Sequence, residues 1–130
     1  MKILGIGVDI IQNSRIKNLI FKKSFIDRTF GKQEIQLSKK DNNKVNYFAK
    51  RFAAKESFAK SLGTGFRDNL NFKDIEILND KLGKPYFCIS KKIHNIINKK
   101  FKIKRFNLFL SISDEKDYSI AFTILQNRSC

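Results

Sequence analysis

Apolar positions along this chain recur with two different spacings, and the spacing switches from segment to segment. From Tyr47 to Gly65 the run Tyr-Phe-Ala-Lys-Arg-Phe-Ala-Ala-Lys-Glu-Ser-Phe-Ala-Lys-Ser-Leu-Gly-Thr-Gly meets no Gly or Pro before Gly63. Phe48, Phe52, Phe58, Ala59 and Leu62 gather on one broad arc at helical spacing, which predicts a long amphipathic helix. Glu56 and Lys60 fall off that arc, on a narrow stripe with Ala49 and Ala53. An acid and a base four residues apart make an ordinary surface pair worth about 0.3–0.5 kcal/mol. Alanines too small to shield them also leave room for something to dock. Gly63 stands where a left-handed C-cap is wanted.

Elsewhere the pattern shortens or alternates. Lys2 to Ile11 is rich in Ile and Val and suits a buried first strand, with Gly5 and Gly7 permitting close backbone approach at its middle. Short helices are predicted at Arg15 to Phe21, capped by Ser14, at Ser24 to Phe30, broken by Gly31, and at Gln33 to Lys39. Asp41-Asn42-Asn43 forms a turn that caps the central helix. Phe72 to Leu78 reads as a strand, Asn79 to Pro85 as a turn, and Tyr86 to Ile89 as the returning strand. Ser90 to Lys100 carries Ile93, Ile96 and Ile97 at helical spacing. Phe106 to Ser113 and Tyr118 to Leu125 alternate around a turn at Asp114 to Asp117, a hairpin. The sum is α+β: an antiparallel sheet packed on a long central helix, one domain over residues 1–130.

Composition adds charge to this picture. Lys+Arg number 27 against 12 Asp+Glu, a net +15, which implies polyanionic partners: nucleic acid, an anionic membrane face, phosphorylated cofactors or an acidic protein. The basic residues are spread along the chain, so charge alone does not choose among them. No apolar run approaches the ~20 residues of a membrane span, and the N-terminus lacks a signal-peptide layout, so the chain is expected to be cytoplasmic. Cys88 and Cys130 lack metal-ligand spacing and read as free thiols. His94 has no acid or Cys nearby and reads as a surface residue. Glu34, the one acid among Lys32, Lys39 and Lys40, reads as solvated surface.

Asp9 is the informative residue at the N-terminus. A carboxylate inside Val-Asp-Ile-Ile is costly unless it is paired, protonated or bound to a metal. Gly5-x-Gly7 lacks the third glycine and following helix of a dinucleotide fingerprint.

Taken together, Gly5-Ile6-Gly7-Val8-Asp9-Ile10, Arg51-Phe52-Ala53-Ala54-Lys55-Glu56-Ser57-Phe58-Ala59-Lys60 running into Gly63-Thr64-Gly65, Asp74-Ile75-Glu76-Ile77, Gly83-Lys84-Pro85 and Ser111-Ile112-Ser113 stand in an order that resembles the holo-[acyl-carrier-protein] synthases, the short bacterial type of 4'-phosphopantetheinyl transferase. The resemblance covers nearly the full length. It implies the 4'-phosphopantetheinyl transferase fold, and transfer of phosphopantetheine from coenzyme A to a serine of apo acyl carrier protein in fatty acid biosynthesis. Mg²⁺ would assist and 3',5'-ADP would be released. It makes Asp9 and Glu56 the metal carboxylates and Lys60 the contact to the phosphates. Arg51, Gly63, Gly65, Lys84, Pro85 and Ser113 become coenzyme A contacts, the Ala49/Ala53 stripe the pocket floor, and Glu34 an acid near the site. It also implies a homotrimer with active sites between subunits, formed around the C-terminal hairpin, where Phe109, Ile112, Ile120, Phe122 and Ile124 exceed what one sheet face needs. The basic segment from Arg15 to Lys23 is the expected docking surface for the acidic carrier protein.

The chain departs from the family pattern twice. Asp114 follows Ser111-Ile112-Ser113 where relatives usually have a His that helps bind coenzyme A, and Asn42 and Asn43 stand where basic residues often reach a neighbouring subunit's nucleotide. A catalytically weakened relative of the same fold is therefore the nearer alternative. A small basic nucleic-acid-binding protein is the more distant one. It would explain the charge and the 13 Phe, but these fall at core spacing and no nucleic-acid motif is present, so nucleic acid is not the expected partner.

Overall fold

A computed structural model describes residues 2–67 and 69–128. The elements run β1 (Lys2–Gln12), α1 (Asn13–Leu19), α2 (Lys23–Thr29), α3 (Lys32–Ser38), α4 (Lys44–Leu62), a 3-10 turn (Phe72–Asp74), β2 (Glu76–Asn79), β3 (Pro85–Cys88), α5 (Lys91–Phe101), β4 (Phe106–Asp114) and β5 (Tyr118–Asn127). Two antiparallel sheets result, one of order β1-β5-β4 and one pairing β2 with β3. The larger sheet packs on α4, as the pattern predicts.

The glycines of β1 explain how closely it packs. A Cβ at Gly5 or Gly7 would overlap the carbonyl oxygens of Ser61 and Ser57, so strand backbone rests directly on helix backbone. Ser57 Oγ and Thr123 Oγ1, 2.6 Å apart, join α4 to β5 beneath the same face. Phe48, Phe58 and Leu62 are buried on the predicted arc, with Phe52 half-buried against Phe25 and Phe72. Asn43 caps α4 by accepting from Asn46 N, and Gly63 closes it with φ +80°.

Several sequence expectations are corrected. Phe72–Asp74 is a 3-10 turn rather than strand, because Asp74 Oδ2 accepts from Asn71 N and closes the chain locally. Ser14 does not cap α1, which begins at Asn13. The Asn13 side chain instead reaches the turn between β4 and β5, donating to Glu115 O and Lys116 O and accepting from Ser119 Oγ. The Ala49/Ala53 stripe is no open pocket floor: both residues are fully buried in the core, on the helix that carries the sheet. Ile112 turns inward toward α4, unlike Phe109, Ile120 and Phe122, which are exposed. Val8 and Ile10 of the expected buried strand are also exposed. His94 is exposed, as read, and bonds Asn98 on its own helix. Cys88 carries a free thiol, while Cys130 lies outside the described residues.

The largest correction concerns Glu34, which is wholly buried rather than solvated. Its Oε1 accepts from Lys55 Nζ at 2.7 Å and from Gly31 N at 3.0 Å, and its Oε2 from Ile77 N at 3.1 Å. Lys55, equally buried, also donates to Phe72 O and Ile75 O. Tyr47 Oη donates to Glu34 O at 2.5 Å. This ion pair ties α3, α4, the 3-10 turn and β2 together at one point. No helix among the described residues is long and apolar enough to cross a membrane.

Candidate active site

Strand alternation turns Asp9 to the α4 side of β1, the same side as buried Gly7 and Ile11. There it meets the C-terminal half of α4. Lys60 does not close the helical pair with Glu56. Its Nζ donates to Asp9 Oδ1 at 3.1 Å and to Val8 O at 3.0 Å. The Asp9 side chain is only 16% exposed, so the pairing answers the desolvation cost that its apolar context creates. Glu56 faces the same space. Burial pushes its carboxyl above the ordinary range, the Asp9 charge pushes it further, and Lys60 and Arg15 pull against both. The structure thus brings Asp9, Glu56 and Lys60 into one cluster. Arg15, on the first turn of α1, adds a cation to its field that spacing in the sequence did not foretell.

The donor set defines which cation would fit. Two carboxylates that repel one another favour a small positive charge between them. Among the described residues no group of three or more His, Cys, Asp or Glu assembles to complete a shell. An ion held here would take hard oxygen from Asp9 and Glu56 and the rest from water or phosphate, which is the habit of Mg²⁺ and not of structural zinc.

The remaining predicted contacts collect elsewhere. Arg51 is five positions before Glu56, about 140° around the helix, and so leaves α4 on a different face. Its guanidinium lies 3.6 Å over the Tyr47 ring and donates to Tyr47 O at 3.2 Å and to Asn79 Oδ1 at 2.6 Å; burial lowers its pKa. With Lys50, Ile77, Asn79, Gly83, Pro85, Ile112 and Asp114 it lines a cleft between α4, the β2–β3 turn and the end of β4. Lys84 stands in that turn, exposed, its N–H donating to Asp80 Oδ1. Gly63 and Gly65 both hold left-handed backbone at the end of α4, with open space where a side chain would stand. Ser113 projects to the opposite face of the sheet from Asp114, beside Ile120. Within one chain, then, the carboxylate cluster and the Arg51 cleft lie apart, on different faces of α4.

Residues 5–123 match the 4'-phosphopantetheinyl transferase superfamily. A holo-[acyl-carrier-protein] synthase of Pelagibacter ubique is 59% identical over 128 residues, covering 98% of this chain and 100% of the relative. Among solved structures, the holo-[acyl-carrier-protein] synthase of Neisseria meningitidis superposes with a TM-score of 0.85 at 39% identity, covering 96% of this chain and 99% of that one. The corresponding synthase of Bacillus anthracis, solved in complex with coenzyme A (3',5'-ADP), gives a TM-score of 0.81 at 32% identity over 98% of this chain and 100% of that one. With an enzyme fold matched end to end, the chain belongs to the holo-[acyl-carrier-protein] synthases of the 4'-phosphopantetheinyl transferase superfamily.

Proposed function

We propose that this enzyme moves 4'-phosphopantetheine from coenzyme A to a serine of apo acyl carrier protein, with Mg²⁺ held by Asp9 and Glu56 and 3',5'-ADP as the other product. The observation that carries the detail is the convergence of Asp9, Glu56 and Lys60. The serine hydroxyl oxygen forms a bond to the phosphorus that bears pantetheine, the bridging P–O bond of the diphosphate breaks, and the serine proton is lost. Mg²⁺, when bound, neutralises charge on the diphosphate. Lys60 would stabilise the negative charge that grows on the departing phosphate, while Asp9 orients its ammonium. Incubation with coenzyme A, Mg²⁺ and apo carrier protein should give the phosphopantetheine mass gain by mass spectrometry, and no gain would refute the transfer. Lys60→Ala should reduce turnover about a hundredfold or more with a smaller effect on coenzyme A binding. Near-normal turnover would leave Lys60 a plain ion-pair partner.

The separation of the cluster from the cleft supports an assembly in which a neighbouring copy's Arg51 cleft completes each carboxylate cluster. So does the outer face of the sheet. Ile6, Val8, Ile10, Ile120, Phe122 and Phe109 are between 38% and 59% exposed, and strand register sets Val8 opposite Phe122 and Ile10 opposite Ile120. An apolar face of this kind marks an interaction surface, and the family resemblance supports a homotrimer. Light scattering should report three copies, and Phe122→Asp should give monomers with little transferase activity. A wild-type monomer at working concentration would defeat this reading.

Acidic carrier protein would meet the basic segment 15–23, and long-range attraction there would raise the association rate more than the affinity. Because the Arg15 charge also acts on Glu56, Lys22 is the cleaner probe. Lys22→Glu should slow carrier modification several-fold at low salt, with the deficit shrinking as screening shortens to ~8 Å near physiological ionic strength. A deficit independent of salt would remove the steering role.

A further inference from the structure

Helix α1 is poorly secured by its own residues. It is seven residues long, has no side-chain cap and carries no acid in its first turn, so it depends on its neighbours for its pose. Ile16 is fully buried, and Leu19 and Ile20 are half-buried against the same core, which holds the middle and end of the helix down. Apolar burial is non-directional. It fixes the depth of a short helix and leaves open the angle at which the first turn stands.

Asn13 supplies the missing direction. It is 4% exposed, and its backbone N–H donates to Asp117 O at 2.8 Å. Its Nδ2 donates to Glu115 O at 3.0 Å and to Lys116 O at 3.1 Å, and lies 3.5 Å from Asn46 Oδ1 at the start of α4. Its Oδ1 accepts from Ser119 Oγ at 2.8 Å, and Ser119 is wholly buried. The turn it grips is itself closed, Glu115 N–H donating to Tyr118 O at 2.9 Å. A flipped amide would set oxygen against carbonyl oxygens, so one orientation alone satisfies these partners. The first turn of α1 is thereby keyed to the turn between β4 and β5. Two residues beyond Asn13 stands Arg15, whose charge acts on Glu56, and Lys17, Lys22 and Lys23 follow it, all exposed.

We propose that Asn13 is a positioning residue: by tying the start of α1 to the β4–β5 turn, it sets the pose in which the basic segment 15–23 meets acidic carrier protein. This inference rests on the transferase reading and its docking segment, and deepens both. The test compares Asn13→Ala and Asn13→Leu, the latter close to asparagine in size but unable to donate or accept. Each should raise KM for apo acyl carrier protein about tenfold, with kcat and the KM for coenzyme A within about twofold of the wild type. Ser119→Ala breaks the same buried contact from its other side and leaves the Asn13 donors on the turn. It should keep the carrier KM within about twofold. A role in stability alone would lower the melting temperature in all three variants and move the carrier KM in none. Hydrogen exchange on the wild type gives a reading that needs no variant: apo carrier protein should slow exchange in α1 and in residues 115–117 together. An unchanged carrier KM in a folded Asn13 variant, or protection confined to α1, would overturn the role of Asn13 alone. Normal transfer with no protection of α1 would remove the docking segment and this role with it. Absence of transfer by the wild type would take the transferase reading down as well.

Discussion

Replacing Glu34 with alanine is expected to destabilise the fold by about 3–5 kcal/mol, a large part of the stability of a domain this size. The cause is what remains behind: Lys55 would keep its ammonium wholly buried, with only the carbonyls of Phe72 and Ile75 as partners. Burial already holds the Lys55 pKa below the ordinary lysine value, with Glu34 opposing that shift. Because the folded value is the lower one, this group's contribution to stability rises with pH and is complete only above the unfolded lysine value. The Glu34→Ala deficit should accordingly shrink in alkaline solution, where a neutral amine can stay buried. Urea unfolding at neutral and alkaline pH measures both effects. The paired change Glu34→Gln with Lys55→Met should recover much of the loss, since neither a charge nor its counter-charge then needs shelter. A deficit below about 1 kcal/mol in the single variant would show that the pair adds little.

Glu56→Gln is expected to abolish turnover, by about a thousandfold or more, while leaving the fold at least as stable as before. The stability half follows from the sign of its shift. Burial and Asp9 raise the Glu56 pKa, so the fold favours the protonated carboxyl, and that contribution is lost as pH rises through the raised value. At neutral pH the ionised group works against folding, and glutamine removes the penalty. On the proposed function, the same shift should place the acidic limb of the wild-type rate profile above the ordinary carboxylate range, because a carboxyl that is to bind Mg²⁺ must first lose its proton. Raising Mg²⁺ should move that limb to lower pH. Thermal melts beside single-turnover assays check both halves. A variant that turns over normally, or that unfolds, would contradict the assignment.

What the sequence disclosed tracks how local each signal is. The central helix, its Asn43 cap and Gly63 stop, and the C-terminal hairpin are written in periodicity and terminal residues within a few positions. Asp9 was legible because a charge within an apolar strand is anomalous on its own. Glu34 was not, for its partner Lys55 lies 21 positions away and its surroundings in sequence are lysines that solvate an ordinary acid. The cluster and the cleft were run together for a similar reason. Arg51 and Glu56 sit close along the chain, but one emerges beside Tyr47 and Asn79 and the other toward Asp9. At Phe72–Asp74 a side chain closing on Asn71 overrode an alternating pattern that was already irregular.

Gly5 and Gly7 have a further consequence. At Gly5 and Gly7 β1 rests on α4 through main-chain atoms, so at those two positions no side chain acts as a spacer between the strand bearing Asp9 and the helix bearing Glu56. Substitutions in the Phe-rich core on the far side of α4 can alter stability without resetting the interval between the two carboxylates. The spacing of the two carboxylates is thereby insulated from drift in the hydrophobic interior. Such a layout lets the body of the protein change its aromatic packing freely while a single methyl group at Gly7 would wedge the strand away and spoil the site.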